Sequence, residues 1–159
     1  MKNKRVSQKQ RKSMFFLYVV FLLVCSIAIV LMPVASAYKD STRIPMLVSG
    51  GAFWAGLIGT VVIAVMINTF RKRSPAFADK RSKRKRPGLT RFFTNKEARI
   101  ADIAMIISVP AFIISRICSG NLYPMFIFLA LFLFSFGMHC MLNGESYIYL
   151  KSKVRRDDE

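Results

Sequence analysis

Apolar residues fall into a few long blocks along the chain, and nearly all charged residues lie between these blocks. A charge at the centre of a bilayer costs about 2.5–3.5 kcal/mol on insertion scales, so uncharged intervals mark where a chain can cross. Three intervals are long enough for a helix of about 20 residues. They hold 26, 27 and 28 residues, between Lys12 and Lys39, Arg43 and Arg71, and Arg116 and Glu145. This pattern predicts membrane helices at about 14–36, 46–69 and 122–143.

A fourth apolar block, Ile100–Cys118, is weaker. Only 13 uncharged residues separate Asp102 from Arg116, and Pro110 lies among them. A membrane helix tolerates a proline as a kink, and an arginine near its end can extend to the headgroups. The block is either a true span or a re-entrant or interfacial segment. We predict a span at 100–118, because the charge distribution below requires an even number of crossings.

Basic residues concentrate in alternate segments of the chain. The arm 1–13 has six basic residues and no acidic ones, and the segment 71–99 has twelve against two. The tail 144–159 has four of each, whereas the segment near 38–45 has two basic residues and the one near 119–123 has none. Because excess Lys and Arg stay in the cytoplasm, we expect both termini and the loop 70–99 to be cytoplasmic.

These features predict an all-α integral membrane protein of the cell (inner) membrane. Its membrane domain, 14–143, is expected to form an antiparallel bundle of four helices between a basic arm and a cytoplasmic tail. The net charge of +17 reflects mainly this topology, and the 53% apolar content is grouped into spans. The arrangement argues against a soluble enzyme, a disulfide scaffold and a disordered protein. The cysteines Cys25, Cys118 and Cys140 fall at different depths, so no disulfide is expected.

The first span has features of a signal peptide. A basic arm and an apolar stretch precede Ala35-Ser36-Ala37, which fits a small-residue cleavage site. However, the stretch Met14–Leu31 has 18 residues, and the apolar part of a signal peptide usually has about 7–15. We favour a retained anchor over a cleaved peptide, and either outcome leaves the other three spans in the same orientation.

The long loop carries a run of six basic residues in seven positions, Lys80, Arg81, Lys83, Arg84, Lys85 and Arg86. Such a run can mark nucleic-acid binding, contact with anionic lipid, or a topology determinant. No aromatic residues within the run are available to stack on bases, which argues against nucleic acid. We therefore predict headgroup contact, at about 1 kcal/mol per basic residue. Phe92 and Phe93 follow and fit an interfacial anchor.

Small residues recur every four positions in the second span. Gly51, Ala55 and Gly59 form one row, and a parallel row one residue along includes Gly56. This spacing lets helix backbones approach closely in lipid. We predict that Gly51, Ala55, Gly56 and Gly59 form a packing face, and its partner is either a helix of the same chain or a second copy.

Ionisable residues within spans are functional candidates by default. If the third and fourth spans form a hairpin that turns near Ser119–Gly120, residues at equal depth have numbers that sum to about 240. Asp102 and His139 sum to 241 and are therefore expected at similar depth on neighbouring helices. A carboxylate beside an imidazole can fix helix register or serve as a proton relay. For Arg116 we expect extension to the outer headgroups.

The stretch Met138–Met141 includes a histidine and a cysteine, which suit copper(I). Adjacent helix positions diverge by about 100°, so these side chains do not converge on one point. We therefore predict no metal and no cofactor. Asn143 with Gly144 is expected to end the fourth span, and Tyr147 and Tyr149 to lie at the membrane interface as belt residues.

The sequence does not identify a specific activity. We expect a non-enzymatic accessory or assembly subunit that acts through helix packing and contact with anionic lipid, alone, as a homo-oligomer or beside a larger membrane protein. The alternative is an oligomeric transporter or channel component in which Asp102 and His139 form a proton-linked pair. A membrane-embedded enzyme is disfavoured, because no second acid or nucleophile lies at the depth of Asp102 apart from Cys140.

Overall fold

The computed structural model describes residues 7–37, 44–73, 92–93, 96–118 and 122–151, and the regular structure within them is helical. The helices are α1 (Gln8–Ala37), α2 (Ile44–Arg73), α3 (Arg99–Cys118), α4 (Tyr123–Leu142) and α5 (Glu145–Lys151), with a 3-10 turn at Lys96–Ala98 directly before α3. The predicted lipid-contact run, Lys80, Arg81, Lys83, Arg84, Lys85 and Arg86, lies outside the described residues.

Four of these helices are long and apolar enough to cross a membrane, as the apolar blocks of the sequence predict. The segment Lys96–Cys118, the weakest in sequence, has 23 residues, and its helix continues through Pro110. α1 and α2 each have 30 residues and are longer than predicted. At 1.5 Å per residue, 30 residues exceed the hydrocarbon thickness of about 30 Å. The extra turns consist of polar and basic residues at the start of α1 and the end of α2.

α1 occupies the centre of the helix arrangement. It packs along both α2 and α4, whereas α3 packs chiefly on α4. On the α2 side, Gly56 lies against the backbone of Cys25. On the α4 side, the hydroxyl of Tyr18 donates to the carbonyl oxygen of Gly137 at 2.8 Å. The principal contacts therefore run in the order α2, α1, α4, α3.

A buried apolar cluster lies towards one end of the molecule. Its buried members are Met14, Tyr18, Leu22, Ile67, Met141, Tyr149 and Leu150. We call this end of the molecule the polar end, because the side chains of Arg11, Asp102, His139 and Asn143 also lie there. The chain turns at Asn143 and Gly144, so α5 lies against the start of α1. Tyr149, which the sequence predicts as an interfacial belt residue, is only 1% exposed and packs within this cluster.

The predicted packing face of α2 divides into two parts. A Cβ atom on Gly56 would lie 2.7 Å from the backbone nitrogen of Cys25, and one on Gly59 would overlap the ring of Phe21. These two glycines therefore let α1 and α2 approach closely. Gly51 and Ala55 are exposed, and a Cβ atom on Gly51 would have no neighbour within 4 Å. The helix of the same chain thus takes up one half of the predicted face.

Candidate functional site: a buried carboxylate, imidazole and amide

Asp102 lies in the first turn of α3 and is fully buried. A buried carboxylate is costly unless hydrogen-bond donors surround it. Three donors converge on this one. The backbone N–H of Phe93 donates to Oδ2 at 2.7 Å, His139 Nδ1 lies 2.5 Å from Oδ1, and the Asn143 amide nitrogen donates to Oδ1 at 3.1 Å. The carboxylate thus connects α3, the end of α4 and the chain before the 3-10 turn.

His139 lies in the last turn of α4, and 1% of its surface is exposed. Its position follows from the hairpin, because α3 and α4 place residues 102 and 139 at the same depth. Asp102 is an acceptor, so the hydrogen-bonded Nδ1 of the imidazole carries a proton. This tautomer leaves Nε2 as the ring atom that can release or take up a proton. Nε2 is buried and has no hydrogen-bond partner among the described residues.

Asn143 is both the C-cap of α4 and a member of the cluster. Its backbone N–H donates to the carbonyl oxygen of His139 at 3.0 Å, and its side chain reaches Asp102. The carboxylate fixes the orientation of the amide, because the reverse orientation would place two oxygens against each other. The spacing of four residues puts His139 and Asn143 on one helix face. Sequence reasoning treated Asn143 only as a helix end, although this spacing could have identified it.

Phe93 has a left-handed backbone, with φ of 57°. A bulky side chain rarely adopts this conformation, which costs on the order of 1–3 kcal/mol. The turn points the backbone N–H of Phe93 at Asp102. The conformation is therefore held by the same carboxylate that pairs with His139. No pattern in the sequence indicates this contact.

Phe92 lies over the imidazole of His139. The two ring centroids are 4.7 Å apart, and the ring planes differ by 32°. Phe92 itself is 44% exposed. Phe92, which the sequence predicts as part of an interfacial anchor, thus contacts the buried histidine.

Four buried serine and threonine hydroxyls within the spans bond to their own helices. Ser26, Thr60, Ser108 and Ser115 are buried, and they donate to the carbonyl oxygens of Leu22, Gly56, Met105 and Phe112 respectively. Such bonds satisfy a hydroxyl within one helix and make no connection to another. Along the described spans, these four groups are therefore separate from the Asp102 cluster.

A second polar contact joins the two ends of the described chain. Arg11 is 7% exposed, and its guanidinium donates to the carbonyl oxygen of Tyr149 at 3.1 Å. The guanidinium carbon also lies 4.2 Å from the centre of the Tyr149 ring. Phe15 contacts Tyr147 one turn further along α1. Sequence reasoning grouped Arg11 with the solvated basic arm and missed this role.

The remaining candidates lie apart from this cluster. The exposed Arg116 is in the last turn of α3, at the opposite end of that helix from Asp102. Within the described part of the chain the three cysteines are free, and no group of three metal-ligating residues comes together. Comparison with protein-family models, curated proteins and solved structures finds no match to this chain.

Proposed function

We propose that the protein is a non-enzymatic, multi-pass membrane subunit of the cell membrane that acts through helix packing and contact with anionic lipid. The observation that supports this proposal is that the buried polar groups bond to one another within the chain. Both oxygens of Asp102 are taken up by donors of the same chain. A carboxylate satisfied in this way fixes three segments relative to one another, which is a structural use of a buried charge.

We further propose an antiparallel arrangement with both termini in the cytoplasm. Contact pairs support it: residue numbers fall along α4 and α5 as they rise along α1, from Arg11 with Tyr149 to Tyr18 with Gly137. The start of α1 and the chain after α4 thus share one end. Exposed basic residues cluster at the helix ends found there, namely Lys9, Lys12, Lys72, Arg73, Lys96 and Arg99. This charge favours the cytoplasmic side.

Cysteine labelling in intact cells tests the topology. In a variant without the three native cysteines, a membrane-impermeant maleimide should label a cysteine at Ser41 and spare one at Ser82 until the cells are opened. The excess of basic residues around Ser82 is the physical reason for this expectation. Labelling of both positions in intact cells would contradict the topology.

Lipid dependence tests the functional proposal. We expect phosphatidylserine or phosphatidylglycerol to raise the melting temperature of the purified protein more than phosphatidylcholine does, with less difference at high salt. Replacing the six basic residues of the run 80–86 by glutamine should reduce this difference. A control variant replaces Lys9 and Lys12 by glutamine, which removes two exposed charges outside the run. An equal response to all lipids would contradict the lipid contact.

Assembly with a partner requires a separate test. Mild cross-linking in the native membrane, followed by purification under detergent, should recover either a second copy or one larger membrane protein in a constant ratio. The variant Gly51→Leu, which changes the exposed half of the small-residue face, should reduce the yield of the cross-linked species. A strictly monomeric protein in the native membrane would contradict a role as a subunit.

A second candidate function is that of a proton-linked transporter or channel component. One observation favours it, the buried His139 Nε2 without a partner among the described residues. Reconstitution into liposomes with a pH-sensitive dye inside tests this function. A proton flux that Asp102→Asn abolishes would favour the transporter, and a flux equal to that of empty liposomes would favour the subunit.

A further inference from the structure

An exposed aromatic ring contacts the buried imidazole. His139 is 1% exposed, whereas Phe92, which lies on the imidazole, is 44% exposed. The imidazole is anchored at its Nδ1 edge, because Nδ1 pairs with Asp102. Rotation of the Phe92 side chain would therefore uncover one face of the ring without breaking the carboxylate pair.

We propose that His139 is a proton-exchange site that Phe92 covers, with Nε2 as the exchanging atom and Asp102 as the group that retains the other ring proton. This site belongs to the same cluster that, in the proposed function, fixes three segments relative to one another. It rests on the proposed function only through the pairing of Asp102 with His139. The ligand of the site is a proton that water delivers and removes.

The exchange step is a simple proton transfer. In the protonated state, the carboxylate and the imidazolium have a combined charge of zero. When Phe92 rotates away, the Nε2–H bond breaks, the proton goes to a water molecule, and the electron pair stays on Nε2. The cluster then has a charge of −1, and Nδ1 keeps its proton. Water returns the proton by the reverse step, so the cycle needs no other reactant.

Charged groups on the neighbouring elements are largely engaged with one another or exposed. On the 3-10 turn, Glu97 pairs with Lys151 of α5 at 2.5 Å, and Lys96 is exposed. On α1, Arg11 lies on Tyr149, whereas Lys9 and Lys12 are exposed. On α3, Asp102 is the acidic residue that contacts the imidazole.

The chain has a single histidine, which makes a direct test possible. The full-length protein is prepared with ¹⁵N in its imidazole and placed in lipid nanodiscs, and the nitrogen shifts are followed from about pH 5 to about pH 9. We expect the Nδ1 proton to be retained in the pair with Asp102 and the Nε2 proton to be the one that exchanges with water. Phe92→Ala should accelerate exchange of the Nε2 proton roughly tenfold, since exchange of a buried proton requires an opening step.

The control is Phe136→Ala, which removes an aromatic ring of similar exposure, 41%, one turn earlier on α4. It should leave the exchange rate unchanged. If Phe92→Ala does not fold, Phe92→Leu replaces it, and its smaller side chain should give an intermediate acceleration. Equal exchange in the Phe92 and Phe136 variants would overturn the covering role, and an unprotonated Nδ1 would overturn the assignment of Nε2. Either result leaves the lipid and cross-linking tests of the proposed function unaffected.

Discussion

The two ends of the helix arrangement are held together by different kinds of contact. At the polar end, directional bonds join separate elements, as in Asp102 with His139 and Arg11 with Tyr149. At the opposite end, an open apolar groove of about 330 Å³ lies between α1 and α2, lined by Leu31, Val34, Ala35 and Pro45. The hydroxyls near it, Ser36 and Ser49, bond within their own helices.

This difference shows which physical forces fix the arrangement. Within lipid, apolar side chains gain little by meeting one another, so helices associate through close packing and hydrogen bonds. The polar end uses hydrogen bonds among buried groups, which are sensitive to the loss of a single atom. The middle of the α1–α2 contact uses glycine, which is sensitive to the addition of one. The two regions should therefore respond to opposite kinds of substitution.

The largest effect should come from removing the shared acceptor at the polar end. Asp102→Ala leaves an imidazole, an amide and the Phe93 N–H without their partner, and breaking a buried charged pair from one side costs about 3–5 kcal/mol. Thermal unfolding in detergent measures the loss. The control Ser108→Ala removes a buried hydroxyl from the same helix that bonds only to Met105, and it should be nearly neutral. Equal losses would show that the cluster is not a special tie.

The pairing itself should appear as coupling between the two residues. Asp102→Asn and His139→Gln should each destabilise the protein, and the double variant should cost less than the sum by about 0.5–3 kcal/mol. The reason is that the second substitution removes a partner that the first has already lost. Strict additivity would instead reduce Asp102 and His139 to independent residues.

At the glycine contact between α1 and α2, a larger side chain should destabilise the protein. Gly56→Leu places atoms where the backbone of Cys25 lies, so α1 and α2 must separate, at a cost of about 1–3 kcal/mol. The same change at Gly51 meets open space and should leave the melting temperature of the monomer nearly unchanged. Fluorescence-detected thermal denaturation of both variants compares them. A larger effect at Gly51 would show that the exposed half is the important face.

Loss of Arg11 should weaken the attachment of α5. Arg11→Ala removes a charged hydrogen bond and a cation–π contact, and the expected cost is about 1–2 kcal/mol. Amide hydrogen exchange within α5 should accelerate, while exchange in α3 should change little. Lys12→Ala, an exposed neighbour, provides the control. Unchanged protection of α5 in the Arg11 variant would show that apolar contacts alone hold it.

The smallest effect is expected at the exposed ion pair of the polar end. Glu97 and Lys151 are 44% and 67% exposed, and such pairs contribute about 0.2–1 kcal/mol. Lys151→Ala should lower the melting temperature slightly at low salt and not at all at high salt, because salt screens exposed charges. A loss that persists in high salt would mean that the lysine stabilises the fold in another way.

The sequence predicted what depends on charge and length. Four helices of spanning length follow from the apolar blocks, and the equal depth of Asp102 and His139 follows from the hairpin. The rotation of each helix about its axis does not follow, because an apolar surface in lipid has no preferred inward face. For this reason the sequence could not predict which small residues of α2 face α1. Gly56 and Gly59 pack against α1, whereas Gly51 and Ala55 are exposed.

Contacts between distant segments were also beyond prediction. Arg11 is one of six basic residues in the arm, and nothing local distinguishes it from its neighbours. Its partner Tyr149 lies 138 residues away and is reached only because α5 turns back onto α1. The contact of Phe93 depends on a left-handed backbone that its residue type disfavours. By contrast, the role of Asn143 was readable from its spacing to His139.

The central position of α1 has a consequence for the order of assembly during synthesis. Of the helices described, α1 is made before the others, and its α2 face is covered once α2 follows. Its other face must wait for α4, because Tyr18 and Gly137 are 119 residues apart in the chain. At about 5–20 residues per second, that delay is roughly 6–24 s. A half-paired α1–α2 hairpin, in which the Tyr18 hydroxyl does not yet have its acceptor on Gly137, therefore precedes the complete arrangement.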